Sequence, residues 1–217
     1  MKHTMKSALL IAVFSCSISS IFAQTLKDVF TNSETSIFYL GIDFTQVRLI
    51  DYSTADEVDI IERQFGGIND VIVNEPKKYD LSKAFRRSYL DHDLGQVQTR
   101  NKKTNAATIK SSNTADYHRF NEDDIKKLIS GFDFGGKSGI GLLFVTEAMS
   151  KSRKAIAVWV TIVDMKAKKV LMTERMEGNV NKLGGIGFKN YWAGSFKEII
   201  DDIEKTKYSE WKSKYGN

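Results

Sequence analysis

The sequence predicts an α/β or α+β fold, a mixed sheet with helices packed on it that ends in a three-stranded antiparallel meander. Three observations carry this. Apolar and β-branched residues recur at a spacing of two in residues 36–50 and again in three successive runs between 141 and 176. Short polar linkers, 150–154 and 166–169, join those last three runs as antiparallel neighbours require. Segments with apolar residues at helical spacing lie between and after the strands, the order of a layered architecture.

The elements follow in chain order. Residues 1–23 read as a secretory signal peptide: Lys2 and Lys6, an apolar run over 8–14, small residues from Ser15 to Ser20, and Ala23 before the expected cleavage. That apolar run is too short to span a bilayer. In a rival reading residues 13–16 (VFSC) form a lipobox and Cys16 is lipidated, but Phe14 is bulky for such a site. The expected location is therefore periplasmic or secreted, with a lipid-anchored form as the alternative. Residues 24–217 are expected to form a single domain. Cys16 is the only cysteine, so the mature chain has no disulfide, thiolate metal ligand or cysteine nucleophile.

Residues 26–30 start a short helix, and 36–50 (SIFYLGIDFTQVRLI) form a strand whose phase shifts near Thr45 and Gln46. Thr54 is placed to cap a helix through Val58, Ile61, Phe65 and Ile68, weakened at Gly66 and Gly67. Asp80 is placed to cap another, bearing Leu81, Ala84, Phe85, Ser88 and Tyr89. Residues 95–104 read as an exposed strand and 104–114 as loop, within a flexible basic loop near 100–118. Asn121 and Asp124 have capping-box spacing for a helix over 122–130. Strands follow at 141–149, 156–165 and 170–176, then a glycine-rich loop over 178–187 and a last helix over 192–211.

One motif suggests chemistry. Residues 131–138, GFDFGGKS, satisfy G-x-x-x-x-G-K-[ST], the pattern of a phosphate-binding loop. A working loop of that kind follows a strand and opens a helix, because the helix N-terminus holds the phosphates. Here the order is reversed, and a glycine closing a helix before a loop explains the residues better. Gly184, Gly185 and Gly187 do precede a helix, but no βαβ strand and no ribose carboxylate accompany them. Of the mature histidines, His92 sits between Asp91 and Asp93, where a capped helix end explains it, and His118 has no partner at metal-ligand spacing. Neither G-x-S-x-G nor S-x-x-K stands where a serine nucleophile needs it. The expectation is no catalytic residue, no metal and no cofactor.

The charge is mildly basic, and loss of Lys2 and Lys6 takes the formal +5 to +3. Positive residues concentrate between Lys77 and Lys110, a distribution that suits an anionic polymer or membrane surface, or a solvated helix face with a loop. Export argues against nucleic acid.

Residues 157–178, AVWVTIVDMKAKKVLMTERMEG, form a strand, a D-x-K-x-x-K-V-L turn and a return strand. This resembles the β-hairpin of the CsgG/TolB-N-type periplasmic α/β domains, departing from it at Ala167 and Lys168, where threonine-glycine is usual. Residues 184–199, GGIGFKNYWAGSFKEI, resemble stretches of uncharacterised exported proteins of Bacteroidota. The likeness covers 139–205 and implies a role in assembly and binding, with no catalytic residue to carry over. The expected function is a non-enzymatic envelope domain acting through protein contacts or self-association. One alternative is a small-ligand or polyanion binder using Gly185, Gly187, Lys189, Tyr191 and Trp192, or Arg86, Arg87 and Arg100. Another is a hydrolase assembled from Asp43, Glu147 and Asp164.

Overall fold

The computed structural model describes residues 25–180 and 185–217. The expected signal peptide, Cys16 and Gly184 lie outside the described residues.

The chain is a mixed α/β structure. Its strands are β1 (Ile37–Asp43), β2 (Arg48–Ile50), β3 (Asp91–His92), β4 (Lys110–Ser111), β5 (Ile140–Ser150), β6 (Ala155–Asp164) and β7 (Lys169–Asn179). β1 and β2 lie end to end along one side of β5, both parallel to it. β3 and β4 continue the sheet outward from β1 and β2, again in parallel. On the other side of β5 lies β6, antiparallel to it, and β7 lies antiparallel beyond β6. The seven strands thus occupy five rows, with β5 in the middle and buried at every residue. A strand covered on both faces reads as a continuous apolar run rather than an alternating one, as GLLFV does.

The phase shift near Thr45 and Gln46 is a real break between β1 and β2. Two asparagines bridge it. Asn69 accepts from Ile42 N at 2.7 Å and donates to Ile42 O at 3.1 Å, while Asn101 accepts from Phe44 N at 2.7 Å and donates to Ile42 O at 2.9 Å. Both side chains are buried and stand in for the strand that the outer row lacks between β3 and β4.

Asn69 belongs to a helical run made of α2 (Glu57–Asp59), a π-turn (Ile60–Gln64) and α3 (Phe65–Asn74). Its cap is Asp56, which accepts from Val58 N and Asp59 N, and not Thr54 as the sequence suggests. Asn101 ends α5 (Gly95–Asn101). The exposed strand expected at 95–104 is therefore a helix, started by an Asx turn in which Asp93 accepts from Gly95 N. The single apolar residue Val97 left its periodicity undecided. The 104–114 stretch, read as loop, contains α6 (Ala106–Ile109), capped by Asn105, and β4, with Ile109 buried. Asp80 does cap a helix, but α4 (Leu81–Ala84) has only 4 residues, and Ser88 and Tyr89 lie beyond it. His92 lies in β3 rather than at a helix end.

α7 (Glu122–Ser130) starts with the capping box of Asn121 and Asp124 and packs against β7. α8 (Phe188–Asp202) continues through a π-turn (Ile203–Lys207) into α9 (Tyr208–Tyr215). With α3 it covers one sheet face: Phe44 stacks on Phe65 at 4.2 Å, and Phe144 on Phe196 at 6.5 Å. α8 lies directly on β7 at Gly178, where a Cβ would meet Ser195 O at 2.1 Å. α1 (Leu26–Thr31) closes the far end, its Phe30 stacking on Tyr215 at 5.9 Å.

Candidate functional site

The buried charges in the middle of the sheet are bound to each other. Glu147 sits at a bulge in β5 and is fully buried. It accepts from the backbone N–H groups of Arg119 and Phe120, from Trp159 Nε1 at 3.2 Å and from Arg175 Nε at 2.9 Å. Burial works against the Arg175 charge, but the bonds to Glu177 and Glu147 outweigh it and raise its pKa. Asp43, also fully buried, accepts from Thr45 N at 2.7 Å and from Arg100 Nε at 3.1 Å, and the Arg100 guanidinium lies over Phe132 at 4.6 Å. Asp164 instead caps the β6–β7 turn by accepting from Ala167 N at 2.9 Å. It pairs with Ile140, seven residues along β5 from Glu147, roughly 23 Å at about 3.3 Å per residue. Asp164 thus lies apart, whereas Asp43 pairs with Val145, two residues from Glu147 on the neighbouring strand, and each of these two carboxylates is engaged by its own arginine.

GFDFGGKS joins α7 to β5. Phe132 and Phe134 are buried, Gly135 and Gly136 turn the chain at φ of 62° and 75°, and Asp133 accepts from Gly135 N. Lys137 Nζ pairs with Asp93 Oδ2 at 2.8 Å and lies 5.0 Å above the Phe38 ring. The bond to Lys137, with the one from Gly95 N, holds the Asp93 carboxyl below its usual range. The lysine ties this loop to the β3–α5 turn, and a strand, not a helix, follows it.

The turn before α8 packs on its neighbours. Gly187 caps α8 at φ 88°, the exposed Gly185 precedes it, and the stem of Lys189 covers Gly67. Trp192 is fully buried and donates from Nε1 to Tyr52 Oη at 2.9 Å, with Tyr191 edge-on to it at 5.0 Å. The three arginines are elsewhere. Arg86 donates to Glu204 O and lies over Tyr208, and Arg87, buried, donates to the carbonyls of Thr35, Phe85 and Val29. Arg100 is the partner of Asp43. The turn and the arginines share no partner, so they do not form one site.

Two other features hold polar groups without a protein partner among the described residues. The first is the outer edge of β7, which pairs only with β6 among the described residues. Asn179 N donates to Glu198 Oε2 rather than to β6, and the register from Asn179 back to Met172 is unbroken. By the alternation of an antiparallel ladder, Thr173, Arg175 and Glu177 then also direct their N–H and C=O groups away from β6. The second is a cleft of about 350 Å³ between β1, the end of α3 and the turn before α4. Tyr39 and Tyr79 line it, both buried, and their hydroxyls have no hydrogen-bond partner. Burial pushes the Tyr39 hydroxyl well above the usual phenol range, so it stays protonated.

The chain matches no protein-family model, no curated protein and no solved structure. Among the described residues, no group of three or more His, Cys, Asp or Glu is placed to hold a metal ion, and no helix is long and apolar enough to cross a membrane. Sequence reasoning missed Tyr39 and Tyr79, because an unpartnered hydroxyl leaves no trace in periodicity. It missed the β7 edge because strand order is a tertiary property.

Proposed function

We propose that this chain is an exported domain of the cell envelope that works through protein contacts, taking a partner strand along the outer edge of β7. The observation that carries the reading is the set of outward-directed backbone groups at Thr173, Arg175 and Glu177, on a strand 11 residues long. An unpaired strand edge is a template for an added strand, with affinity from main-chain hydrogen bonds. Supporting it, Glu147 and Asp43 are engaged by Arg175 and Arg100, which favours a binding role over acid–base chemistry. Export through a leader cleaved after Ala23, a periplasmic or secreted location, and the resemblance of residues 139–205 to CsgG/TolB-N-type domains belong to the same reading.

The test is capture from envelope extracts by the purified chain and by a Thr173→Pro variant. Proline at an outward position removes a donor from the edge and leaves the ladder to β6 intact. Wild type is expected to retain a reproducible partner, or to self-associate, and the variant to lose it. Strictly monomeric wild type with no reproducible partner overturns the reading. N-terminal sequencing of the exported protein checks the location, with Gln24 expected as the first residue.

A further inference from the structure

The cleft beside Tyr39 has the features of a ligand site and not of a packing fault. Its volume, about 350 Å³, lies within the range of small-molecule pockets. Ile72, Pro76 and Leu90 give it apolar walls, and Tyr89, 71% exposed, lies beside it as an aromatic side chain without a covering neighbour. Tyr39 and Tyr79 are 0% and 2% exposed; neither hydroxyl has a partner within hydrogen-bond distance, and the exposed Lys78 ammonium lies 5.0 Å from the Tyr79 ring. A buried hydroxyl left unpaired carries a desolvation penalty that a native core rarely tolerates, and two on one cleft call for an occupant.

The chemistry of that occupant follows from the groups around it. The charged or ionisable side chains at the cleft, Asp80, His92 and Lys78 beside the Tyr79 ring, keep solvent contact; Asp80 is already engaged with Lys83 N at 2.8 Å and Lys78 with Glu75 at 3.5 Å. The fully buried polar groups are neutral phenols. A buried ligand charge would find no counter-ion there, whereas a neutral oxygen acceptor would find donors. We propose that the cleft binds a small, largely apolar, uncharged molecule bearing a carbonyl-type oxygen, to which the Tyr39 and Tyr79 hydroxyls donate. This site is independent of the β7 edge, which lies on the other side of β5 and β6 from β1.

The test uses two probes of the same shape, acetophenone and α-methylstyrene, in which a methylene replaces the carbonyl oxygen. Each is titrated into isotope-labelled full chain while the backbone amides of Tyr39, Tyr79 and Leu90 are followed by NMR. Acetophenone is expected to shift those amides and to bind about tenfold more tightly than α-methylstyrene, since a site built to donate rejects the analogue with no acceptor. In the Tyr39→Phe/Tyr79→Phe variant the preference should fall to near one while α-methylstyrene still binds. The single Tyr79→Phe variant gives an intermediate ratio and serves if the double variant fails to fold. Equal affinity of the two probes for wild type, or no shift at those amides with either, overturns the proposal.

Discussion

At Glu147 a carboxylate without solvent contact accepts from two consecutive backbone amides ahead of α7, an indole on β6 and a guanidinium on β7. Glu147→Ala leaves the half-buried Arg175 with Glu177 as its one remaining carboxylate, beside the Tyr117 carbonyl, and strands the Trp159 indole. A loss of about 3–5 kcal/mol is expected in denaturant unfolding, because removing one member of a buried pair exposes the full desolvation penalty of the other. Glu147→Ala combined with Arg175→Met is expected to recover part of that loss, and a strictly additive result would contradict the pairing. The sequence places Glu147 within the 141–149 strand but does not show its partner, since Arg175 lies 28 positions away and meets it only across β6. The same limit hides Arg87. Its place in a basic run suggests a solvated cation, yet its donors all go to carbonyls inside the fold.

At the scale of elements, the α8–β7 contact and the α7–β5 loop give separate predictions. Gly178→Ala places a methyl against Ser195 O, which is backbone and cannot turn aside. It is expected to lower stability by about 1–3 kcal/mol, measured by thermal or denaturant melting, with α8 displaced. In the loop, Lys137→Ala removes the partner of Asp93. The folded Asp93 carboxyl is depressed, so its stabilisation is present above the unfolded value, ordinarily near 3.9, and is lost as pH falls through the folded one. Lys137→Ala should therefore flatten the acid limb of the stability profile below about pH 4, with an effect at neutral pH under about 1 kcal/mol because the pair is exposed. Neither wild type nor variant is expected to bind Mg·ATP by calorimetry, and micromolar binding would reinstate the phosphate loop. Element identity was legible where local signals agree, as in α7, whose capping box sits at Asn121 and Asp124. It was misread at α5, where one valine among polar residues fits helix and strand alike, and at the Asp80 helix, which stops after one turn.

At the scale of the molecule, the mixed α/β class and the positions of the three long strands were legible because each is a strongly patterned run bounded by polar linkers. The parallel pairing of β1 and β2 with β5 was not. It joins segments about a hundred residues apart and depends on Asn69 and Asn101 filling the gap in the outer row. The proposed binding surfaces were hidden for a related reason, since neither a free edge nor an unpartnered hydroxyl exists until the strands are ordered. The central claim is that β7 receives a partner along its outer edge, and hydrogen exchange at single-residue resolution tests it most directly. In the isolated chain the amides of Thr173, Arg175 and Glu177 should exchange faster than those of Met172, Glu174 and Met176, which bond to β6. In the complex captured from envelope extract, those three outward amides should become at least about tenfold more protected, with their neighbours unchanged. A captured partner that leaves Thr173, Arg175 and Glu177 as exchangeable as before would contradict the account.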